Sequence, residues 1–219
     1  MLGEIPDTVK AKVDGGSLVA YLASFIEKAA GQKKAVNVML YDKISEDAPV
    51  MGFRGVSAYR TTEGHAYFQA ECQAIKAVLQ KGIKVDILVP FVRTSSEAAT
   101  AIDLLAEQGL VRGFEQLKVY LLSQLPANVL QTESLLAYFD GVFIDSDSLA
   151  VFTLGTQGGN ESPAYTVFKT NETVISLVHH ALLQTAKSGK PGWLVTSNDN
   201  EAQKLVEKLE LSSETVVLA

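Results

Sequence analysis

The residues best suited to chemistry lie in the segment GFRGVS at positions 52–57, where an arginine stands between two glycines at the end of a predicted strand. The guanidinium group of Arg54 offers a planar fork of N–H donors that matches the oxygens of a phosphate or a carboxylate. Gly52 and Gly55 have no Cβ atom and would let the backbone come close to such a ligand. The segment therefore predicts an anion-binding site, with a structural arginine held in a salt bridge as the alternative.

The other side chains that often serve in catalysis give no site. The single cysteine, Cys72, lies on a predicted helix, where a small buried thiol is expected. His179 and His180 are neighbours on another predicted helix, so their rings point about 100° apart and cannot hold one metal ion together. His65 lies near a helix start and is expected to be exposed. The glycine-rich stretch 155–160 lacks the spacing of a phosphate-binding loop, which favours a surface loop.

The composition excludes several classes of protein. The chain has 219 residues, of which 47% are hydrophobic and 20% charged, so it can fill the core of one large α/β domain or of two small ones. A net charge of −6 argues against binding to nucleic acids or to anionic membranes. One cysteine excludes an internal disulfide, no apolar run reaches the ~18 residues of a membrane-spanning helix, and the first residues do not form a signal peptide. We therefore expect a cytoplasmic protein.

The elements that must position these residues alternate between strand and helix along the whole chain. Short apolar runs separated by helical patterns are typical of right-handed βαβ units and a parallel sheet. The seven predicted strands are residues 35–41, 51–55, 85–92, 117–122, 141–144, 193–196 and 215–218. The predicted helices are residues 18–26, 65–79, 95–108, 129–138, 171–188 and 201–210. No linker-like stretch interrupts the pattern, so we predict a single domain.

Several segments, in order, resemble the C-terminal phosphoenolpyruvate (PEP)/pyruvate domain of phosphoenolpyruvate synthase, a relative of pyruvate phosphate dikinase and of enzyme I of the sugar phosphotransferase system. The resemblance runs from about residue 17 to the end of the chain. The segments that carry it are GFRGVSAYR at 52–60, FQAECQAIK at 68–76, VDILVPFVRT at 85–94, AEQGLVRGFEQLKVYLLSQLPAN at 106–128 and YFDGVFIDSDSLAVFTLG at 138–155.

This resemblance implies a (β/α)8 barrel of the TIM type, with the functional site at the C-terminal ends of the parallel strands. The family's first strand has no counterpart here, so we expect a barrel that is incomplete at the N-terminus, with about seven strands. Residues 1–16 are expected to form an N-terminal extension and residues 17–219 the barrel domain. The gap left by the missing strand would expose unpaired backbone groups. The N-terminal residues or a second copy of the chain would cover these groups, or the barrel would be distorted. We therefore expect a homo-oligomer or docking to another protein.

The resemblance also implies that the site is altered. Arg54 stands at the position of the family arginine that binds the phosphoryl end of the substrate, whereas the second family arginine falls near the apolar Val38 or Met39. Gln124 stands at the position of the metal-binding glutamate, and Ser148 at that of the metal-binding aspartate. Mg²⁺ prefers carboxylate oxygens, so a neutral amide and a hydroxyl attract it far less.

Two further positions concern the metal and the proton. Asp145 and Asp147, two residues apart on one predicted strand, are weak candidates for a metal site rescued by a shift in register, although solvated or helix-capping aspartates are commoner. The family's proton-donating cysteine is replaced by Thr196 or Ser197, and a hydroxyl is a poor general acid at neutral pH.

These substitutions predict a catalytically disabled barrel, kept as a ligand-binding or assembly module that takes a small anionic ligand and needs no cofactor. The candidate ligand-binding residues are Arg54, Gln124 and Asn128. The alternative is an enzyme, the PEP/pyruvate half of a split phosphoenolpyruvate synthase, which would work with separate histidine and ATP-grasp domains and with Mg²⁺ near Asp145 and Asp147. A gene fragment with no selected role is the third alternative.

Overall fold

The computed structural model of the chain describes residues 15–33, 35–42, 54–155, 171–196, 207, 209 and 216–218. These residues fall into two compact units. The first unit contains the described residues up to Pro90 and also Ala99–Val119, and the second contains Phe91–Ala98 and the described residues from Tyr120 onward. Arg54 belongs to the first unit and the candidate metal positions to the second.

The first unit alternates parallel strands and helices. Its elements in chain order are helix α1 (Gly15–Ala30), strand β1 (Ala35–Met39), a 3-10 helix (Gly55–Arg60), helix α2 (Thr62–Gln80) and strand β2 (Lys84–Val89), with shorter 3-10 helices at Gly31–Lys33 and Phe114–Gln116. The strands β1 and β2 are parallel, with Ala35 opposite Lys84 and Met39 opposite Leu88. One of the three boundaries between the units, that between Ala98 and Ala99, falls within helix α3 (Ser95–Glu107).

Helix α2 forms because the sequence supplies both a start signal and an apolar stripe. At its N-terminus the side chain of Thr61 accepts the N–H of Gly64 at 3.1 Å. Phe68 and Cys72, one turn apart, are at most 1% exposed and belong to the core of the unit. Gly64 is required at its position because a Cβ atom there would lie 2.1 Å from the carbonyl oxygen of Ala58 in the 3-10 helix. Helix α2 and the 3-10 helix therefore pack in direct contact.

The second unit is also built on parallel strands. Its strands are β3 (Val119–Ser123, from Tyr120 on), β4 (Val142–Asp145), β5 (Gly192–Thr196) and β6 (Val216–Leu218), and its helices are α4 (Pro126–Leu130), α5 (Thr132–Leu135), α6 (Ser146–Leu154) and α7 (Glu172–Lys187). Each strand pairs in parallel with the next along the chain, with Leu121 opposite Val142, Val142 opposite Gly192, and Leu194 opposite Val216.

Three aromatic rings pack side by side across this second group of strands. Phe143 and Trp193 are direct partners in register, and their rings stack with centroids 4.4 Å apart. The ring of Tyr120 contacts both in edge-on geometry, with its centroid 5.4 Å from each. Cross-strand aromatic pairs of this kind stabilise one register over its alternatives. The register in turn determines which side chains reach the carboxyl ends of the strands.

The mixed α/β class and the parallel pairing of the strands are confirmed. Six strands, not seven, occur among the described residues. The predicted strand at 51–55 accounts for the difference, because its first three residues lie outside the described part and Gly55 begins the 3-10 helix. Parallel strands alternating with helices agree with an incomplete α/β barrel. The division into an extension at 1–16 and a barrel domain at 17–219 stays a prediction.

Two of the predicted elements need correction. The predicted helix at 129–138 is instead the two short helices α4 and α5, which meet at Gln131. Asp145 and Asp147, which the weak metal-site hypothesis placed on one strand, end β4 and begin α6, because the Asp145 side chain accepts the N–H groups of Asp147 and Ser148 and so caps a helix, as the alternative had it.

Some predictions concern residues outside the described part of the chain. The predicted helix at 201–210 is described only at residues 207 and 209, which are helical, and residues 156–160 of the glycine-rich stretch are not described. The same holds for the first 14 residues. Within the described ranges, every helix is too short or too polar to cross a membrane.

Candidate functional site

The guanidinium group of Arg54 contacts a carboxylate of the same unit. Its Nη2 donates to Oδ2 of Asp42 at 2.6 Å, and its Nε donates to Oδ1 at 3.3 Å. The backbone N–H of Gly55 donates to the same Oδ1 at 2.9 Å. The Asp42 side chain is 4% exposed and that of Arg54 is 18% exposed, so this bidentate pair is largely shielded from water. Arg54 therefore forms the salt bridge that the sequence left open as its structural alternative, and anion binding by Arg54 stays a prediction.

The residue before Asp42 is fixed by two buried side chains. The N–H of Tyr41 donates to Oε2 of Glu71 at 3.1 Å, and the hydroxyl of Tyr59 donates to the carbonyl oxygen of Tyr41 at 3.1 Å. Glu71 lies on α2 and Tyr59 on the 3-10 helix, and both are buried. Burial raises the pKa of the Glu71 carboxyl to about 8, while the hydrogen bond from Tyr41 acts in the opposite direction. The end of β1 is thus held from two elements.

Gln124, which the sequence resemblance predicts to stand at the position of a metal-binding glutamate, lies buried directly after β3. Its Oε1 accepts the N–H of Phe91 at 3.3 Å. Its Nε2 donates to Oδ2 of Asp145 at 3.2 Å and to Oγ of Ser148 at 3.4 Å. Because the backbone N–H of Phe91 occupies the acceptor end of the amide, the donor end faces the carboxylate.

The carboxylate of Asp145 accepts four hydrogen bonds. Oδ1 accepts the N–H groups of Asp147 at 3.1 Å and Ser148 at 3.0 Å. Oδ2 accepts the hydroxyl of Ser148 at 2.7 Å and the amide of Gln124 at 3.2 Å. A carboxylate has about four lone-pair positions, and donors from the protein fill them here. Asp145 therefore serves as the N-cap of α6 and as the partner of Gln124.

This arrangement does not fit a bound Mg²⁺ ion. The ion requires carboxylate oxygens with free lone pairs, whereas Asp145 is already saturated and Gln124 presents a nitrogen donor. The placement of Asp145 and Asp147 on one strand was wrong, because Asp145 ends β4 and Asp147 lies in the first turn of α6. Among the residues that the structure describes, no group of three or more His, Cys, Asp and Glu side chains could hold a metal ion.

Asn128 is fully buried and bonds to the surrounding backbone. Its Oδ1 accepts the hydroxyl of Ser123 at 2.9 Å and the N–H of Leu125 at 3.0 Å. Its Nδ2 donates to the carbonyl oxygen of Val92 at 3.2 Å. The Asn128 amide thus fixes the turn from β3 into α4 and orders the segment that contains Phe91.

The segment 91–97 of the second unit carries features that the sequence did not reveal. Phe91 has a positive φ of 54°, a conformation that is strained for a non-glycine residue. The guanidinium carbon of Arg93 lies 4.9 Å from the centroid of the Phe91 ring, and its Nη1 donates to Oε1 of Glu97 at 2.8 Å. These contacts, together with the bond from Phe91 to Gln124, hold the strained backbone in place.

The remaining candidates are single residues. Thr196 ends β5 opposite Leu218 of β6, and Ser197 lies outside the described residues. Cys72 is buried as predicted, and burial raises the pKa of its thiol to about 12. His65 is half-buried rather than exposed, because its Nδ1 lies 3.2 Å from the carbonyl oxygen of Tyr59 in the preceding 3-10 helix.

Sequence reasoning missed Asp42 and Glu71. A weak signal exists for each. Asp42 follows the apolar strand β1 by three residues, where a polar side chain reaches the carboxyl end of the strand. Glu71 stands three residues after Phe68 and directly before Cys72, within the buried stripe of α2. A carboxyl group in an apolar stripe is costly to bury, so its presence there indicates a specific partner.

Comparison with known proteins relates this chain to one family. The model of the family described as "PEP-utilising enzyme, PEP-binding domain" matches residues 25–197. This range covers both Arg54 and the cluster around Gln124 and Asp145.

Similar curated proteins carry one name. Phosphoenolpyruvate synthase of Pseudomonas aeruginosa is 39% identical over 147 residues, which are 66% of this chain and 19% of that protein. The proteins of the same name from Escherichia coli and Deinococcus radiodurans are 35% and 34% identical over 147 and 148 residues, again 19% of each relative. The chain thus spans about a fifth of the length of the relatives that it matches.

Proposed function

Since the chain belongs to the family of the PEP-utilising enzyme, PEP-binding domain, we propose that it is a catalytically disabled member of that family, which binds a small phosphorylated or carboxylate ligand through Arg54. It acts as a binding or assembly module and does not use Mg²⁺. We also propose that the chain self-associates, which would add an assembly role. This second proposal rests only on the missing counterpart of the family's first strand in the sequence.

The observation that carries the proposal is the hydrogen bond from Nε2 of Gln124 to Oδ2 of Asp145. An amide N–H and a metal ion are alternative partners for one carboxylate oxygen, because both bring positive charge to the same lone pairs. The amide is neutral overall and fixed by the backbone at its other end. It therefore gives Asp145 a partner but offers a substrate no Lewis acid.

The cost to catalysis is large. Electrostatic stabilisation of developing charge contributes roughly 3 kcal/mol per group, so two missing groups slow the chemistry by roughly 10⁴-fold. The altered positions include Gln124 and Ser148 for the metal and Thr196 for the proton donor. Substitutions of this kind leave binding as the function that the remaining donors support.

The donors that remain are suited to an anion. Arg54 directs Nε and Nη2 to one carboxylate, and Gly55 adds a backbone N–H to the same group. A phosphate or carboxylate ligand presents the same acceptor geometry as Asp42 does. Partial exposure of Arg54 leaves its side chain within reach of solvent.

A calorimetric titration of the purified chain with PEP, in EDTA and in Mg²⁺, tests the proposal. We expect weak, saturable binding that Mg²⁺ does not strengthen and that Arg54→Gln abolishes. Arg60→Gln is the matched control, since Arg60 is an exposed arginine of the same 3-10 helix whose Nη2 donates to Thr100. Binding that requires Mg²⁺, or that survives Arg54→Gln, would contradict the proposal.

A second candidate function is the PEP/pyruvate half of a split phosphoenolpyruvate synthase. Identity of 39% to the P. aeruginosa enzyme favours it. This function requires Asp145 to give up the hydrogen bonds from Gln124 and Ser148 and to bind Mg²⁺ instead. PEP formation from pyruvate and ATP, when the histidine and ATP-grasp domains of a relative are added, would favour it, and Asp145→Asn should then abolish the reaction.

A further inference from the structure

The carboxylate of Asp42 occupies the donors through which Arg54 would bind a ligand. We propose that Asp42 is an internal competitor that limits the affinity of this site for anions, and that Glu71 is the positioning residue that holds Asp42 there. This inference rests on the proposed function, because it concerns the same anion site.

The geometry at Asp42 is that of a bound ligand. Oδ2 lies 2.6 Å from Nη2 of Arg54, and Oδ1 accepts both Nε of Arg54 and the N–H of Gly55. An external anion cannot use these three donors while the carboxylate holds them. The carboxylate of Asp42 would also repel an anionic ligand beside it, since Asp42 and Arg54 are partly shielded from water. Binding therefore requires Asp42 to be displaced or neutralised.

Glu71 restricts that displacement through the backbone. Its Oε2 accepts the N–H of Tyr41, and the hydroxyl of Tyr59 donates to the carbonyl oxygen of the same residue. These two bonds fix the peptide groups on both sides of Tyr41, directly before Asp42. Loss of the Glu71 carboxyl would free the N–H of Tyr41 and let the end of β1 move. Asp42 would then hold Arg54 less firmly.

The protonation state of Glu71 affects the strength of the hydrogen bond that it accepts from the N–H of Tyr41. The groups around it are Tyr41 and Asp42 after β1, Tyr59 on the 3-10 helix, Tyr21 on α1 beside Tyr67, and Tyr67, Cys72 and Lys76 on its own helix. None of these residues forms an ion pair with Glu71 among the described contacts. Burial raises the pKa of Glu71 to about 8, so the group changes charge near neutral pH. An ionised carboxylate accepts a stronger hydrogen bond than a neutral carboxyl. The hydrogen bond from Tyr41 to Glu71 therefore becomes stronger as the pH rises.

Sulfate is a suitable probe, because its charge does not change over the pH range around the Glu71 pKa of about 8. Calorimetric titrations with sulfate compare the wild type with Asp42→Asn, Glu71→Ala, Glu71→Gln and Arg54→Gln. We expect Asp42→Asn to bind sulfate about tenfold more tightly or better, since the like charge beside the ligand is removed. Arg54→Gln, alone or combined with Asp42→Asn, should not bind.

The Glu71 variants test the positioning role. Glu71→Ala should raise the affinity for sulfate, and Glu71→Gln should restore much of the wild-type behaviour, because an amide oxygen can still accept the N–H of Tyr41. In the wild type the affinity should fall as the pH rises through the Glu71 pKa of about 8, and Glu71→Gln should abolish that part of the profile. Glu27→Gln is the matched control, since Glu27 forms an ion pair with Lys81 on the surface of the same unit.

The outcomes separate this inference from the proposed function. If Arg54→Gln abolishes binding but Asp42→Asn binds no better than the wild type, Asp42 is not a competitor and the inference alone is wrong. If Asp42→Asn does not fold, Glu71→Ala supplies the test, and unchanged affinity in a folded Glu71→Ala protein overturns the inference. If no folded variant binds sulfate, the inference and the proposed anion site are both wrong.

Discussion

Gln124 and Asp145 form a hydrogen bond of 3.2 Å between the side-chain amide nitrogen and a carboxylate oxygen, and the same nitrogen also donates to the hydroxyl of Ser148. The pair stands on strand ends of the second unit, with Gln124 following β3 and Asp145 ending β4. The amide thus gives this partly buried carboxylate a neutral hydrogen-bond donor as its partner. Replacing Gln124 or Asp145 changes the charge or the hydrogen bonding of this pair, and the unfolding free energy should report the change.

Gln124→Glu should destabilise the protein in EDTA and make it responsive to Mg²⁺. The variant places a second carboxylate within hydrogen-bond distance of Asp145, while the N–H of Phe91 still donates to this side chain. We expect a loss of about 1–3 kcal/mol in unfolding free energy from urea titrations, with Mg²⁺ recovering part of it. Gln131→Glu, a glutamine whose Nε2 donates only to backbone carbonyls, is the control. Equal stability of Gln124→Glu and wild type in EDTA would contradict the prediction.

Asp145→Ala should cost about 1–2 kcal/mol in unfolding free energy, because α6 loses its N-cap and Gln124 loses its partner. Chemical denaturation followed by circular dichroism gives the value. Asp147→Ala, which removes the neighbouring carboxylate but leaves the cap in place, should cost clearly less. A larger loss for Asp147→Ala than for Asp145→Ala would show that the cap is not the important contact.

The sequence predicted the α/β class and most of the strands and helices because apolar periodicity follows from burial, a property that each segment expresses locally. It did not predict α6. Asp145 was placed on a strand face only as a weak candidate, with helix capping as the commoner alternative, and its carboxylate does accept the N–H groups of Asp147 and Ser148. Capping depends on one side-chain rotamer and leaves no periodic pattern, so the sequence did not show where the helix begins.

The candidate site shows the same limit. Arg54 was predicted either to bind an anion or to form a structural salt bridge. Its partner in the salt bridge, Asp42, lies twelve positions away, so their pairing depends on the path of the chain. The Glu71 carboxyl is related to this pair indirectly, because it accepts the backbone N–H of Tyr41, the residue before Asp42. Long-range hydrogen bonds between polar groups carry no spacing rule, unlike helical or strand periodicity. They had to be read from the structure.

The unfolding free energy should depend on pH through Glu71. Its pKa is raised in the folded state from the ordinary 4.5 to about 8, so between these values the folded protein holds a proton that the unfolded chain has released. Stability is therefore full below about pH 4.5 and falls as the pH rises toward 8, by up to about 1.4 kcal/mol per pH unit. Urea titrations across this range should show the slope in the wild type and its loss in Glu71→Gln.

The control for this pH dependence is Glu27→Gln, because Glu27 is a partly exposed carboxylate in an ion pair with Lys81. Its replacement should leave the slope between pH 4.5 and about 8 unchanged. A wild-type profile that is flat over this range, or a slope that persists in Glu71→Gln, would rule out Glu71 as the titrating group.

Replacing Tyr67 and Tyr59 by phenylalanine should have different effects on the unfolding free energy. The Tyr67 hydroxyl is buried without a hydrogen-bond partner among the described residues, whereas that of Tyr59 donates to the carbonyl oxygen of Tyr41. Tyr67→Phe should therefore leave the unfolding free energy unchanged or raise it by up to about 1 kcal/mol, and Tyr59→Phe should lower it by about 1–2 kcal/mol, since a buried carbonyl loses its donor. Thermal and urea unfolding of both variants give the two values. A substantial loss in Tyr67→Phe would contradict this expectation, because it would mean that the Tyr67 hydroxyl has a hydrogen-bond partner in solution, such as an ordered water.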